Sequence, residues 1–372
     1  MGRTLVVTND FPPRIGGIES FVADLCHLLD DDVVVLASGP PGAAATDTAR
    51  GYPVLRRGGL LLPTPAVARD AARLLRSTGA DRVLFGAAAP LGLLAPALRR
   101  AGARHVVGLT HGHEVWWARV PAARAVLRRV GDGCDHLTTI SDHTTAAVAA
   151  ALSPAARRRL LRLPPPVDLD RFTPAPDDAL GARPVRCVAV GRFVRQKGFD
   201  TLLRAWRTVL DGWPAAAAAP ELVLVGDGPE RAALTRLAGA LGLAPTVRMT
   251  GALDRDAVLA ELRAARVFAL PVRSRWGGLY AEGLGLAAVE AAACGLPVVV
   301  GRSGGAPETV VDGRTGAVVE PDDPAAVAGA VRTLLLDPAR AAALGAAGRR
   351  HVAARYGADA ARRTLRAALE LG

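Results

Sequence analysis

The feature that most constrains the fold of this chain is a rhythm of short apolar runs and longer helical patterns that occurs twice. In the first half, runs such as TLVVT (4–8) and RVLFGA (82–87) alternate with amphipathic segments. In the second half, VRCVAVGRF (185–193) and ARVFALPV (265–272) follow the same rhythm. Nearly continuous apolar strands separated by helices are typical of parallel sheets covered on both faces. The sequence therefore predicts an α/β protein with two doubly wound, Rossmann-like domains.

A proline-rich stretch separates the two halves. Residues 161–178 read LRLPPPVDLDRFTPAPDD, and such a density of proline is incompatible with one continuous helix. We therefore predict a linker at 166–182 between domains at 1–165 and 183–354. Asp168 and Asp170 form an Asp-x-Asp pair within this stretch, and we interpret them as structural residues rather than metal ligands.

The composition favours a phosphate-bearing ligand over nucleic acid. The net charge is +11, and the basic excess leans toward residues 1–165. Such a surface attracts phosphates or anionic lipid, whereas no zinc finger or ribonucleoprotein motif supports nucleic-acid binding. The four cysteines have no paired spacing, which favours buried thiols in a reducing cytoplasm. We recognise neither a signal peptide nor an apolar stretch long enough to span a membrane.

Lys197 stands out because it is the only lysine among 46 basic Lys and Arg residues. It lies in GRFVRQKGFD (191–200), directly after a predicted strand, together with Gly191 and Arg192. Ligands bind doubly wound sheets at the carboxyl ends of their strands. A forked guanidinium and a compact ammonium on one strand-to-helix turn suit a diphosphate. A solvated charged turn is the alternative, and the unique lysine favours the binding site.

Two glutamates surround a glycine-rich helix start in GLYAEGLGLAAVEAAACG (278–295). Glu282 lies in the loop before the predicted helix, and Glu290 lies within that helix, eight residues later. The helix start offers unpaired N–H groups to an anion. This spacing fits the two ends of a sugar nucleotide, with the diphosphate between them.

The first half contains weaker candidates at two strand ends. Gly16 and Gly17 precede a predicted helix and permit close approach of a ligand to the backbone. His111 and His113 lie in LTHGHEVWW (109–117), together with Glu114. We expect both histidines on one face of an extended segment, and we expect His111 to contact a ligand. No third cluster accompanies them, so we predict no metal site.

Together these motifs resemble the retaining glycosyltransferases of family 4, which have the GT-B fold. The resemblance covers nearly the whole chain, and its most specific parts are the Glu282-x7-Glu290 spacing, GRFVRQKG and SGGAPETVVDGRTG (303–316). The segments TNDFPPRIGGIESFVADL, THGHEVWW and SGGAPETV are similar to those of actinobacterial members that transfer mannose from GDP-mannose to phosphatidylinositol mannosides.

The resemblance implies a role for each matching position. Arg192 and Lys197 would hold the donor diphosphate, Glu282 the donor hexose, and Glu290 the ribose. His111 would contact the transferred sugar. The remaining donor-binding positions implied are Gly16, Gly17, Gly191, Gly283, Leu284 and Gly285. The family further implies that the C-terminal helix 355–372 returns to the first domain, and that no metal or other cofactor is needed.

The acceptor is less constrained by the sequence. The segment 115–133 places two tryptophans beside four arginines and the apolar residues Val126, Leu127 and Val130. It could lie on an anionic membrane, or it could pack on its own domain. We therefore expect a cytoplasmic enzyme, peripheral at the inner face of the plasma membrane, that mannosylates a glycolipid. The alternatives are a family 4 enzyme with another donor, such as UDP-glucose, and a soluble or polysaccharide acceptor, or a non-catalytic nucleotide-sugar-binding protein.

Overall fold

A computed structural model describes residues 2–14, 16–29, 32–39, 43, 47–48, 50–175, 183–278 and 280–371. It divides into two compact units. The first comprises Met1–Pro166 with Ala358–Gly372, and the second comprises Val167–Gly357. Residues 176–182 of the predicted linker lie outside the described residues.

The first unit is built on a parallel sheet of seven strands in the order β3-β2-β1-β4-β5-β6-β7. The central strands are buried runs of valine, leucine and phenylalanine, as expected of a sheet covered on both faces. The strands are β1 (Arg3–Thr8), β2 (Val33–Gly39), β3 (Val54–Gly58), β4 (Ala80–Phe85), β5 (His105–Leu109), β6 (His136–Thr139) and β7 (Leu160–Arg162).

Helices connect these strands within the described part of the unit. Proline and capping hydroxyl groups mark several of their starts; for example, the Thr64 side chain caps the helix that begins at Pro65. The helices are α1 (Gly17–Leu28), α2 (Pro65–Ser77), α3 (Ala88–Leu91), α4 (Ala95–Arg100), α5 (Glu114–Arg119), α6 (Pro121–Gly133), α7 (Asp142–Ala151), α8 (Pro154–Arg157) and, from the C-terminus, α15 (Ala358–Ala368).

The second unit has a parallel sheet of six strands in the order β10-β9-β8-β11-β12-β13. Its strands are β8 (Arg186–Val190), β9 (Glu221–Val225), β10 (Val247–Gly251), β11 (Val267–Leu270), β12 (Val298–Gly301) and β13 (Gly316–Val319). Its helices are α9 (Phe199–Asp211), α10 (Arg231–Ala240), α11 (Arg255–Ala264), α12 (Leu286–Ala293), α13 (Pro324–Leu336) and α14 (Pro338–Tyr356). Two parallel Rossmann-like sheets confirm the predicted fold class.

The segment suspected of membrane binding uses its apolar side within its own unit. It breaks at Val120 into α5 and α6 rather than forming one helix. Leu127 and Val130 are fully buried in the core of the unit, and Val126 packs against that core. The exposed side of α6 is rich in arginine. The amphipathic pattern of this helix is therefore explained by the packing of its apolar side against its own unit.

The start of the predicted linker belongs to the second unit. Val167 donates its N–H to Tyr356 O at 2.7 Å, and Arg349 donates to Leu169 O and Phe172 O. Arg263 donates to the carbonyl and hydroxyl oxygens of Thr173. Hydrogen bonds from arginine side chains therefore hold residues 167–173 against the second unit, although their proline-rich sequence predicts a linker.

The four cysteines are buried free thiols, as predicted. Burial raises the pKa of Cys26, Cys134 and Cys294 to about 12, and it also raises the pKa of Cys187. These thiols are protonated near neutral pH and therefore poor nucleophiles. Separately, none of the helices in the described ranges has the length and apolar character needed to cross a bilayer.

Candidate functional site

The candidate residues fall where each sheet reverses its strand order. In the first unit, β1 has β2 on one side and β4 on the other, and in the second unit β8 lies between β9 and β11. At such a switch point the neighbouring loops diverge and leave a crevice at the carboxyl ends of the strands. The motif with Lys197 follows β8, and the loop leading to Glu282 follows β11.

The turn that carries Lys197 is tightly built. After β8, Phe193 is fully buried and stacks edge-to-face on Phe199, and a short 3-10 helix spans Arg195–Lys197. Gly198 then takes a left-handed conformation with φ of 71° and precedes α9. A Cβ atom at Gly198 would overlap the carbonyl of Pro271, so only glycine fits this position.

A buried arginine that the sequence did not indicate as a site residue supports the backbone of this turn. Arg273 is 7% exposed, and its Nε donates to Arg195 O at 3.0 Å. Its guanidinium also donates to Asp200 Oδ1 at 2.7 Å, Thr201 Oγ1 at 3.1 Å and Asp322 Oδ1 at 3.2 Å. One guanidinium with five donors can satisfy several acceptors at once. Arg273 therefore joins the Lys197 turn to the first turn of α9.

Lys197 and Glu282 meet directly. Lys197 Nζ lies 2.6 Å from Glu282 Oε2, and both side chains are partly shielded, with exposures of 23% and 14%. Gly191 lies beside this lysine, because a Cβ there would be 3.8 Å from Lys197 Cδ. The structure therefore brings together two residues that lie 85 positions apart and that we expected to bind one ligand.

The loop around Glu282 is also fixed by close backbone packing. Gly305 donates its N–H to Glu282 O at 2.8 Å, and a Cβ at Gly304 would overlap that carbonyl. Leu284 is buried, and Gly285, with φ of 96°, forms the N-cap of α12. Gly283 lies between Glu282 and Leu284 in this half-buried loop.

The other two predicted residues of the second unit have different environments. Arg192 is exposed, and no carboxylate of the described residues pairs with it. Glu290 is half-buried in the second turn of α12. Asp227, which follows β9, accepts from Gly228 N at 2.7 Å through its Oδ1, and α10 begins later, at Arg231, with Glu230 as its N-cap.

In the first unit, Gly16 and Gly17 lie at the start of α1. Gly16 is the N-cap, and its carbonyl accepts from Ser20 N at 3.1 Å, while Gly17 is exposed as the first helical residue. Phe21, one turn further along α1, packs edge-to-face against His111 with ring centroids 5.7 Å apart. The structure therefore places His111 beside the beginning of the same helix.

His111 is held by two contacts. Its Nε2 lies 2.5 Å from Gly86 O, at the end of β4. Because a carbonyl oxygen only accepts, Nε2 carries the proton, which leaves Nδ1 of a neutral ring as the atom available to a ligand. The second contact is through the backbone: Glu114 Oε2 accepts from His111 N at 2.9 Å and from Gly112 N at 3.1 Å.

The expectation that His111 and His113 share one face of a strand is wrong. Strand β5 ends at Leu109, and Gly112 turns the chain with φ of 99°. His113 is therefore the exposed N-cap of α5, and buried Glu114 begins that helix. Within the described ranges, no group of three or more His, Cys, Asp and Glu side chains is arranged to hold a metal.

Sequence reasoning missed the positioning role of Arg273 and Glu114. Both lie within a few residues of the end of a buried strand, and both are buried charged side chains. Their position just after a buried strand was a usable signal, since a charge is rarely buried there unless it is paired.

Comparisons with known proteins show the family and the fold. Residues 179–351 match the family profile "Glycosyl transferases group 1", and residues 15–171 match "Glycosyltransferase Family 4". The fold is similar to that of HepE from Anabaena in complex with UDP, with a TM-score of 0.81 and 19% identity over 99% of both chains. It is also similar to sucrose-phosphate synthase from Thermosynechococcus elongatus, with a TM-score of 0.76 and 22% identity over 97% and 96% of the two chains.

Two relatives are much closer in sequence. The chain is 47% identical to the GDP-mannose-dependent alpha-(1-6)-phosphatidylinositol monomannoside mannosyltransferase of Mycolicibacterium smegmatis, over 93% of this chain and 92% of that protein. It is 42% identical to the corresponding enzyme for the monoacylated acceptor from Corynebacterium glutamicum, over 95% and 94%. The chain therefore belongs to glycosyltransferase family 4 and has the GT-B fold.

Proposed function

We propose that this enzyme transfers mannose from GDP-mannose to a phosphatidylinositol monomannoside glycolipid. The support for donor and acceptor is the 47% identity to a relative with that activity, which extends over 93% of the chain. The contact between Lys197 and Glu282 at the β8–β11 switch point supports the site. We assign donor binding to the second unit and the acceptor side to the first.

The proposed roles follow from charge and position. Lys197 and Arg192 bind the diphosphate of the donor, Glu282 binds hydroxyl groups of its hexose, and Glu290 binds the ribose. The loop Gly283–Gly285 and the start of α12 face the phosphates, since a helix start offers N–H groups to an anion. Gly191 leaves space for the lysine stem. In the first unit, Gly16 and Gly17 approach the diphosphate, and His111 contacts the transferred sugar through Nδ1.

The proposed reaction retains configuration at the transferred carbon. The bond between that carbon and the β-phosphate oxygen breaks, and the acceptor hydroxyl oxygen bonds to the carbon on the same face. The hydroxyl proton passes to the departing phosphate, so the products are GDP and the mannosylated acceptor. Lys197 and Arg192 stabilise the negative charge that grows on the phosphate, a kind of stabilisation that is often the largest single contribution to catalysis.

The ion pair with Glu282 has a consequence for Lys197. The Lys197 ammonium pairs with the Glu282 carboxylate at 2.6 Å. When a diphosphate arrives, Lys197 can contact both anions, and Glu282 is free to turn an oxygen toward a sugar hydroxyl. A compact ammonium with three donors can serve two partners in this way.

We further propose that the enzyme acts at the cytoplasmic face of the plasma membrane as a peripheral protein. The support is the exposed arginine-rich side of α6 together with the net charge of +11. Each basic residue near an anionic surface contributes about 1 kcal/mol of attraction. Vesicle sedimentation should show binding that requires anionic lipid and weakens with salt.

A donor and acceptor screen tests the proposal. The full chain is incubated with GDP-mannose, GDP-glucose or UDP-glucose, with and without phosphatidylinositol monomannoside in vesicles, and nucleotide release and product mass are measured. We expect turnover only with GDP-mannose plus the glycolipid. Turnover of UDP-glucose with a soluble acceptor would replace this proposal, and binding of a nucleotide sugar without turnover of any donor would indicate a non-catalytic protein.

A further inference from the structure

The most exposed large aromatic residue of the described chain lies on a short hairpin beside the donor site. We call Arg275–Gly278 with Tyr280 the aromatic hairpin. Arg275 N donates to Tyr280 O at 2.8 Å, and Tyr280 N donates back to Arg275 O at 3.3 Å. Trp276 is 72% exposed and Tyr280 49% exposed, and their rings pack edge-to-face with centroids 4.9 Å apart.

This hairpin presents Trp276 at a cost in backbone energy. Trp276 has φ of 51°, a left-handed conformation that is unfavourable for a side chain of this size, and Gly277 and Gly278 follow with positive φ. Trp276 gains little burial from its own unit, since it remains 72% exposed. A strained and solvent-exposed tryptophan of this kind is typical of a surface that contacts a ligand.

The base of the hairpin is fixed to the donor site on both sides. On one side, Arg273 donates its backbone N–H to Gln196 O at 2.8 Å, next to Lys197, and Ser274 Oγ lies 2.9 Å from Ser303 Oγ. On the other side, Glu282 follows Tyr280 by two residues, so their Cα atoms are at most about 7 Å apart. The Cα atom of Tyr280, whose ring packs against Trp276, therefore lies within side-chain reach of Glu282.

The geometry of the transfer reaction determines which part of the acceptor must lie beside Glu282. The acceptor oxygen has to come within about 3–3.5 Å of the reacting carbon of the donor hexose. In the proposed function Glu282 binds that hexose, so the ring that carries the acceptor hydroxyl lies next to it, within reach of Tyr280 and Trp276.

We infer that the second unit adds a subsite to the acceptor side assigned to the first unit: the aromatic hairpin packs its rings against the apolar C–H face of the acceptor's sugar or cyclitol ring. This inference rests on the proposed function. Tyr and Trp provide large, rigid contact area with little loss of conformational entropy. The guanidinium of Arg275, which no described carboxylate pairs, is suited to the phosphate of an inositol phosphate head group.

The test uses the full chain and a water-soluble acceptor, the deacylated mannosyl-inositol phosphate head group. We expect Trp276→Ala and Tyr280→Ala each to raise the acceptor KM about tenfold, in line with the loss of one aromatic contact. The donor KM and the affinity for GDP should change less than about twofold. Leu336→Ala is the matched control, because Leu336 is an exposed apolar residue of the same unit, at the end of α13.

Calorimetry of head-group binding in the presence of GDP separates this inference from the proposed function. If the wild-type chain binds the head group and Trp276→Ala weakens binding about tenfold, the subsite holds even if mannose transfer is not observed. An unchanged affinity, or no binding by the wild-type chain, would overturn it. A loss seen only with acylated vesicles, with the soluble head group unaffected, would also overturn it and would indicate a membrane contact instead.

Discussion

The two units hold their ligand-facing turns with buried side chains of opposite charge. In the first unit, the carboxylate of Glu114 accepts two backbone N–H groups, from His111 and Gly112. In the second unit, the guanidinium of Arg273 donates to the carbonyl of Arg195, and its backbone N–H donates to the carbonyl of Gln196. The first turn follows β5, one strand away from the switch point between β1 and β4, and the second follows β8 at the switch point of its own sheet.

This difference shows what a binding turn needs when it leaves the sheet. Its backbone groups lose their ladder partners, and a buried N–H or C=O without a partner costs about 1–3 kcal/mol. The sign of the supporting charge follows from which groups the turn directs inward. N–H groups require an acceptor such as Glu114, whereas carbonyls require a donor such as Arg273. The guanidinium also contacts three side chains, so its loss should cost more than the loss of the carboxylate.

The largest expected effect is on kcat, and it follows from replacing Lys197, the side chain that the turn of the second unit directs toward the ligand. Lys197→Ala should lower kcat at least ~100-fold, comparable with the loss of one contact that stabilises the transition state. Lys197→Arg should remain at least ~10-fold impaired, because the larger guanidinium has to fit beside Gly191 and Glu282. Steady-state rates with GDP-mannose and glycolipid provide the measurement.

Arg236→Ala is the control for these variants, since Arg236 is an exposed cation on α10 of the same unit. It should retain full activity. Wild-type rates in Lys197→Ala would mean that the ion pair with Glu282 only stabilises the fold. Full activity in Lys197→Arg would mean that the single lysine of the sequence has no special chemical role.

The next effect tests the support of that turn. Arg273→Met should lower the free energy of unfolding by about 2–4 kcal/mol, because it leaves several acceptors without their buried donor. It should also weaken GDP binding ~10-fold or more, since the turn no longer holds Lys197 in place. Arg273→Lys keeps the charge without the fork and should recover only part of both losses. Urea unfolding and calorimetry with GDP measure the two effects.

Arg302→Met is the control that distinguishes the loss of the buried Arg273 contacts from the loss of an exposed positive charge. Arg302 pairs with one exposed carboxylate, Glu320, at 2.8 Å, and such pairs contribute about 0–1 kcal/mol. If Arg273→Met destabilises the chain but binds GDP with unchanged affinity, Arg273 is structural and does not position the turn.

Residues that face the ligand were easier to predict from the sequence than the buried charged residues that support their turns. The apolar runs predicted two parallel sheets, and the unique Lys197 and the spacing of Glu282 and Glu290 indicated candidate donor residues. Arg273 and Glu114 were not assigned positioning roles, because such a role depends on which backbone groups a turn directs inward, and this follows from tertiary packing. The short edge strands β3 and β7 were also missed, since partly exposed strands lack the continuous apolar pattern of buried ones.

The smallest expected effect tests the first unit and completes the comparison. Glu114→Ala removes the acceptor of two N–H groups and should lower the free energy of unfolding by about 1–3 kcal/mol. It should reduce kcat ~10-fold while the affinity for GDP changes less than about twofold, because it displaces His111 and leaves Lys197 in place. Glu114→Gln, which keeps an acceptor oxygen, should give intermediate values of kcat and of the free energy of unfolding.

Asp132→Ala, which removes one exposed hydrogen bond to Ser153, is the control and should change neither kcat nor the free energy of unfolding measurably. A loss of GDP affinity as large as that of Arg273→Met would show that the two supports do not act separately on their own turns.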